Sequence, residues 1–279
     1  MKNYFTFLLV TFILFQLQAQ KHEVGVFIGT TNGITDVGRT DYINPFPKDW
    51  GVGNPTIPIN LGLLYKFNLN PHQSLRLNLH YTRFIDNDRL AAEDYRYDRG
   101  AKYSQTLYET SVLFEYNFFP INSEQERAHS PYIFAGLGAF GYKHPTYTVV
   151  NTISSKTNVE GNPTHVPVIS KDDELKFSYS IPFGVGYKYK FNYNWEAGLE
   201  LGVRPTFIDD LDMADATEED FTFLNQEGLT NYVSQDVLDE SNEKLIRQRQ
   251  IGDRSNNDWY VFSGLTFTYI FGRPPCFCD

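Results

Sequence analysis

The chain has 279 residues, a formal net charge of -10 and only two cysteines, Cys276 and Cys278, both at its far end. Binding nucleic-acid phosphates requires a concentrated basic face, so the acidic balance speaks against nucleic acid as a partner, and two terminal cysteines cannot staple the body of a fold. A mean hydropathy of -0.39 does not exclude membrane insertion, because outward apolar and inward polar residues of a transmembrane β-barrel alternate and cancel in any window. Aromatic residues, at 16%, are the informative excess, since their rings favour bilayer interfaces.

The first 19 residues have the pattern of a signal peptide. Met1-Lys2-Asn3 carries one positive charge, Tyr4 to Leu17 is apolar and aromatic, and Ala19 places a small residue before a cut at Gln20. The apolar run is shorter than the roughly 20 residues that a spanning helix needs. No cysteine follows the cleavage region, so N-terminal lipidation is not expected.

Beyond it, eight amphipathic segments follow in order. The first, Val24 to Gly29, is short, and the second, Thr56 to Phe67, alternates with Pro58 as a local defect. In the third, Leu75, Leu77, Leu79 and Tyr81 share one face and Arg76, Asn78, His80 and Thr82 the other. The fourth sets Tyr108, Val112, Phe114, Tyr116 and Phe118 against Glu109, Ser111, Glu115 and Asn117. A fifth, Pro131 to Lys143, is too uniformly apolar and Gly-rich for its faces to be assigned. The sixth, Leu175 to Lys190, is interrupted by Pro182, and the seventh sets Trp195, Ala197, Leu199, Leu201 and Val203 against Glu196, Gly198, Glu200, Gly202 and Arg204. The eighth ends in Phe267, Tyr269 and Phe271, an alternating aromatic terminus of the kind that barrel-insertion machinery reads.

The gaps alternate strictly. Asn68 to Gln73, Phe119 to His129 and Phe191 to Tyr193 are short; Thr31 to Pro55, Asp86 to Tyr103, His144 to Asp173 and Thr206 to Asn256 are long. A soluble sandwich or lipocalin has no physical reason to keep that order, whereas an outer-membrane barrel has tight turns on one side and extended loops on the other. The expected fold is therefore all-β, an eight-stranded antiparallel up-and-down transmembrane barrel of the outer membrane with both termini in the periplasm. The chain divides into a signal peptide at 1–19, the barrel with long extracellular loops at 20–271, and a periplasmic tail at 272–279.

Eight strands enclose only enough space for side chains. The inward positions give Arg76, His80, Glu109, Glu115, Lys188, Lys190, Glu196, Glu200 and Arg204 as a polar lumen network, expected to be a paired plug rather than a transport path. A turn at Phe191 to Tyr193 would set Lys188 across from Glu196 as an opposite-charge pair.

Other motifs carry less. Gly136, Gly138 and Gly141 match a dinucleotide-binding spacing, but no helix follows to hold a pyrophosphate. Asp209, Asp210, Asp212, Asp215, Glu218, Glu219 and Asp220 form a dense acidic run, expected as a solvated loop, with Ca²⁺ coordination the alternative chemistry. The same loop holds Val237 to Gln248, a candidate surface helix. The six histidines show no metal-ligand spacing, and no Gly-x-Ser-x-Gly elbow occurs. No catalytic residue, metal, cofactor or small-molecule substrate is expected, and the protein is not expected to be an enzyme.

Four stretches carry a family resemblance: Pro131 to Phe140 (Pro-Tyr-Ile-Phe-Ala-Gly-Leu-Gly-Ala-Phe), Ile181 to Tyr189 (Ile-Pro-Phe-Gly-Val-Gly-Tyr-Lys-Tyr), Asn256 to Phe262 (Asn-Asn-Asp-Trp-Tyr-Val-Phe) and the ending Gly272 to Asp279 (Gly-Arg-Pro-Pro-Cys-Phe-Cys-Asp). They resemble the PorG family, the outer-membrane barrel component of the type IX secretion and gliding machinery. The resemblance covers essentially the whole mature chain. It implies a barrel that ties the outer membrane, its lipid partner, to a periplasmic ring of a PorK-type lipoprotein and PorN. The tail, Arg273, Pro274, Pro275, Cys276, Phe277, Cys278 and Asp279, is the expected docking segment: its prolines prevent ladder pairing and Phe277 supplies an apolar anchor. The competing expectation is a free-standing barrel whose outer loops bind a ligand or surface partner.

Overall fold

A computed structural model describes residues 22–39, 58–123, 125–157, 163–253 and 256–271. The expected signal peptide and the tail from 272 to 279 lie outside the described residues. The strands are β1 (His22–Ile34), β2 (Ile59–Asn68), β3 (Gln73–Asn87), β4 (Lys102–Asn117), β5 (Ala128–Thr157), β6 (Pro163–Ser180), β7 (Phe183–Lys190), β8 (Trp195–Pro205), β9 (Phe221–Asn225) and β10 (Trp259–Ile270).

Eight of them close a ring. In the order β1, β2, β3, β4, β5, β7, β8, β10 each pairs antiparallel with the next, and β10 returns to β1 over Glu23↔Ile270 to Ile34↔Trp259. The ring agrees with the expected eight-stranded antiparallel architecture, and three of its connections are the short turns read from the sequence.

Pro182 explains why β6 lies outside the ring. Proline lacks the N–H that a continuous ladder needs, and the expected single strand Leu175 to Lys190 is split there. Below the break, β7 pairs with both β5 and β8. Above it, β6 keeps only β5 as a ladder partner, from Gly138↔Ser180 to Thr157↔Pro163. The stretch His144 to Asp173, expected as a loop, is therefore mostly strand: β5 and β6 continue past the ring as a hairpin arm, and β9 adds to β5 in parallel from Tyr147↔Phe221 to Asn151↔Asn225. β1 also exceeds its expected span, and Pro58 precedes β2 instead of interrupting it.

The expected faces of the third, fourth and seventh segments agree with the burial pattern, which alternates residue by residue along β3, β4 and β8. β5 resolves differently. Its inner face is aromatic, with Tyr132, Phe134, Phe140 and Tyr142 buried while Ile133 and Leu137 face outward; both faces are apolar, which is why the sequence shows no period. The outer surface of the ring is a belt of Leu, Val, Ile and aromatic side chains. Along β4 the outward positions from Tyr108 to Phe118 span ten residues, which at a rise of about 3.4 Å and a tilt near 40° is roughly 25 Å of height.

Inside, large rings oppose glycines. A Cβ on Gly186 would collide with the Tyr132 ring, and one on Gly184 would collide with the Leu201 carbonyl as well as sitting 2.5 Å from Phe134. Gly184→Ala should therefore destabilise the barrel by about 1–3 kcal/mol through overpacking, because the obstacle includes backbone that cannot swing aside. Urea unfolding in detergent is the measurement, with Gly198→Ala as the milder comparison because its nearest obstacle is the Thr266 hydroxyl, 2.6 Å away.

Candidate functional site

Strand alternation aims the charged side chains into the ring, and closure sets them against one another in three tiers. At the end nearest the short turns, Lys66 Nζ lies 2.9 Å from Glu196 Oε1 and 3.5 Å from Glu23 Oε2. Asn68 donates to Glu23 at 2.6 Å and in turn accepts from Ser74 at 2.8 Å.

The middle tier is built on Arg76. Its guanidinium meets Glu200 through two nitrogens at 2.6 and 2.9 Å, and Glu115 at 2.7 Å. Lys188 closes on Glu115, and the Tyr132 hydroxyl donates to Glu200 at 2.8 Å. Both cations also rest on rings: Lys188 Nζ is 4.3 Å from the Tyr132 centroid, and Arg76 Cζ 5.1 Å from that of Phe134, distances at which the ring quadrupole attracts a cation.

In the third tier, Arg204 Nε reaches Glu109 at 3.2 Å, with its Cζ 3.7 Å from the Phe262 centroid, and the Tyr260 hydroxyl donates to Glu109 at 2.6 Å. His80 sits beside this tier, its Nδ1 2.9 Å from Asn60 Oδ1 and its ring against Phe27 and Phe262. All nine residues named from the sequence for the lumen are buried. Lys66, Arg76, Lys188, Lys190 and Arg204 stand against Glu23, Glu109, Glu115, Glu196 and Glu200, five cations to five carboxylates.

One pairing is corrected. Lys190, not Lys188, is the register partner of Glu196, while Lys188 lies opposite Gly198. Five residues, 191 to 195, separate Lys190 from its register partner where three were expected, so the facing positions shift by two; Lys190 Nζ instead donates to the Ser123 carbonyl at 2.8 Å. Sequence reasoning missed Lys66 and Glu23. Lys66 was detectable, since it alternates with Leu63 and Tyr65 in the second segment, whereas Glu23 fell just before the expected start of the first.

Over the upper mouth, the long loop after β8 folds down as a cap. Leu211 and Ala214 join Val37, Phe84, Tyr103, Leu107, Phe140, Tyr142, Phe262, Tyr260 and Phe27 in one apolar cluster. The acidic run expected as a solvated loop is thus corrected: Glu218 and Glu219 are exposed, but Asp212 and Asp220 are buried. Asp212 accepts from the Val37 and Ala214 amides at 2.9 and 3.0 Å, and Asp258 from the Leu211 amide at 2.9 Å. Aspartates end up inside because backbone N–H groups at the cap require acceptors. His144, at the base of the arm, lies between Asp210 at 2.7 Å and Asp220 at 2.6 Å. Among the described residues no three His, Cys, Asp or Glu side chains are arranged to hold a metal ion. The candidate helix is present as α2 (Gln235–Arg247), after α1 (Asp94–Arg99) of the preceding long loop, and Ile246 packs against Tyr147, Val149 and Phe221 of the arm. The tail residues Arg273 to Asp279 lie outside the described residues.

These features define a small closed antiparallel barrel whose interior is filled by ion pairs and rings and whose mouth is capped. The chain belongs to the family described as Domain of unknown function (DUF6089), whose profile matches residues 2–233 and 222–279. No curated protein matches it. Among solved structures it is similar to the N-terminal β-barrel domain of Pseudomonas aeruginosa OprF, at 13% identity over 90% of this chain and 99% of that one, with a TM-score of 0.35. It is also similar to Ail of Yersinia pestis in complex with the heparin analogue sucrose octasulfate (12% identity, 89% and 98% covered, TM-score 0.38) and to Acinetobacter baumannii CarO2 (15% identity, 88% and 98% covered, TM-score 0.29).

Removing one partner of a buried pair strands the other. Arg204→Met should cost about 3–5 kcal/mol, and adding Glu109→Gln should recover much of that; urea midpoints of both variants in detergent give the check.

The cap should respond to pH. Burial pushes the Asp258 carboxyl up to about 9, aided by Asp212, and burial likewise pushes Asp212 up to about 6 against the pull of the Ala214 and Val37 amides. For His144, burial opposes the charge, but hydrogen bonds to Asp210 and Asp220 outweigh it and raise the pKa. All three are raised above their unfolded values, so their contribution is complete below those values and is lost as pH rises through the folded ones. Asp220, held low by the Thr217 amide and His144 against the opposing effect of burial, acts oppositely and loses its contribution in acid. Amide-exchange protection at Leu211 and Ala214, corrected for the intrinsic rate, should therefore peak in mild acid and fall toward pH 9. Protection that rises across that interval would contradict the assignment.

Proposed function

We propose that this chain is an integral outer-membrane barrel that acts as a fixed anchor, coupling the periplasmic ring of the type IX secretion machinery to the outer membrane and so supporting protein secretion, and gliding where present. The observation that carries the anchoring role is the packed lumen: five buried cations and five buried carboxylates occupy its column, which favours the ends and the outer wall as the working surfaces. The outward apolar belt, about as tall as a hydrocarbon core, supports the membrane location. The particular machinery is supported by the resemblance of segments 131–140, 181–189, 256–262 and 272–279 to PorG-type barrels. In this reading the short turns and both termini face the periplasm, the tail docks on PorK- and PorN-type ring proteins, and no catalytic role is assigned.

Tags separate the possible orientations. One at Glu227, which is exposed in the cap loop, should be reachable on intact cells, and one after Asp279 should not. Leu199→Arg should impair insertion, since a charge on the lipid face near mid-bilayer costs about 2–4 kcal/mol. Deleting Arg273 to Asp279 should leave a heat-modifiable barrel while abolishing co-purification of the ring proteins and secretion of type IX cargo. Normal secretion by the truncated protein would remove the docking role of the tail, and an intact barrel that never co-purifies with the ring would favour the free-standing alternative.

A further inference from the structure

Just above the aromatic belt, the outward faces of β3, β4, β5 and β6 bound a cleft of about 1020 Å³, bordered on the cap side by Met213 and Ile251. Its lower edge is Tyr81 and Tyr108, register partners whose ring centroids lie 5.4 Å apart. Above them the walls carry Arg83, Lys102, Lys143 and Lys171. Four cations on one patch run against the grain of a chain whose net charge is -10.

The strand registers set their spacing. Arg83 pairs with Thr106, and Leu107 pairs with Tyr142, which brings Thr106 beside Lys143. Arg83 and Lys143 thus flank Thr106 in one row, roughly 10 Å apart by two strand spacings. Lys102 is four residues further up β4, opposite Asn87. Their own partners do not neutralise them. Lys143 and Lys171 share the single carboxylate of Asp173, at 3.4 and 3.8 Å. Arg83 makes one long hydrogen bond, 3.4 Å to the Ser104 hydroxyl, and neither it nor Lys102 has a carboxylate within ion-pair distance among the described residues. The other acid at the cleft, Asp212, is turned to the Val37 and Ala214 amides.

We infer that this cleft binds the phosphorylated headgroup of an outer-leaflet lipid, with the acyl chains running down the belt over Tyr81, Tyr108 and Leu79. The inference rests on the membrane location and orientation proposed above. Guanidinium and ammonium groups supply the donors that phosphate oxygens accept, and an excess of cations at the level where headgroups meet the belt is complementary to them. The volume exceeds what a lone phosphate fills and suits a headgroup of several rings or branches. Continuity with the tyrosine pair favours a lipid over a free anion, because a soluble anion gains nothing from an apolar floor.

The test uses the full chain extracted in a neutral detergent and followed by native mass spectrometry. Three probes are titrated: a diphosphorylated glycolipid in mixed micelles, the same glycolipid without phosphates, and inorganic phosphate. The phosphorylated lipid should bind about tenfold more tightly than its dephosphorylated form, and Arg83→Gln with Lys102→Gln should remove about tenfold of that affinity. Both substituted side chains are exposed and outside the lumen, so heat-modifiable mobility should stay unchanged and shows that the barrel is intact. Equal retention of the two lipids, or no effect of the double variant, would overturn the site, and displacement of the lipid by equimolar inorganic phosphate would make it a free-anion site and overturn the lipid assignment. Cell fractionation separates the two levels: a wild-type chain absent from the outer membrane overturns the location and the inference together, whereas one that is present there and binds no phosphorylated lipid overturns only the inference.

Discussion

Closure of eight strands is the constraint on which the rest depends. A ring of that size has an interior just wide enough for side chains, so every second residue on eight strands must share one narrow column with the others. Charges placed there lose their water, and desolvation costs several kcal/mol per ion unless partners are close and well aligned. The column satisfies this by balance: each of the three tiers contains both signs, and rings lie over Arg76, Lys188 and Arg204 where carboxylates leave a face uncovered. Glycines on the neighbouring strands make room for those rings, so ion pairing and glycine placement are two parts of one packing solution.

The same constraint determines what the sequence disclosed. Strands with one polar and one apolar face, such as β3, β4 and β8, announce their orientation through a period of two, and the lumen charges follow from it. β5 gives no such signal because its inner face is aromatic, filling the space that glycines on β7 and β8 leave. The pairing of charges across the lumen was not legible at all. Arg76 and Glu200 are 124 positions apart, and only the closed ring brings them together. Two residues of turn length were enough to misassign Lys188, which shows how strongly local register controls which charges face each other.

Above the ring the rules change, and Pro182 marks the border. Below it β7 obeys the barrel between β5 and β8; above it β6 keeps only β5 as a ladder partner, and the two continue past the ring as a hairpin arm. The polar, β-branched stretch from Thr146 to Thr152 looks like loop composition, yet it forms strand because β6 and β9 offer partners on either side. The acidic run was misread for a related reason. Composition alone reports that aspartates favour water, but a folded cap exposes backbone N–H groups that need acceptors, and Asp212 and Asp258 are turned inward to supply them. Where the backbone demands partners, an acidic residue is a structural element and not a solvated one.

A filled column and a capped mouth direct function outward. In a barrel with an open lumen, conductance or substrate passage would compete with any scaffold role, and inward residues would be tuned for passage. Here the interior carboxylates are paired with lumen cations, and Lys190 is held by the Ser123 carbonyl, so a substitution inside changes stability first. Arg83 and Lys102, which have no carboxylate within ion-pair distance among the described residues, lie on the outer wall at the height where the apolar belt ends. Interior and exterior thus differ in kind: lumen cations stand close to carboxylates or carbonyls, whereas Arg83 and Lys102 on the outer wall have no such carboxylate among the described residues.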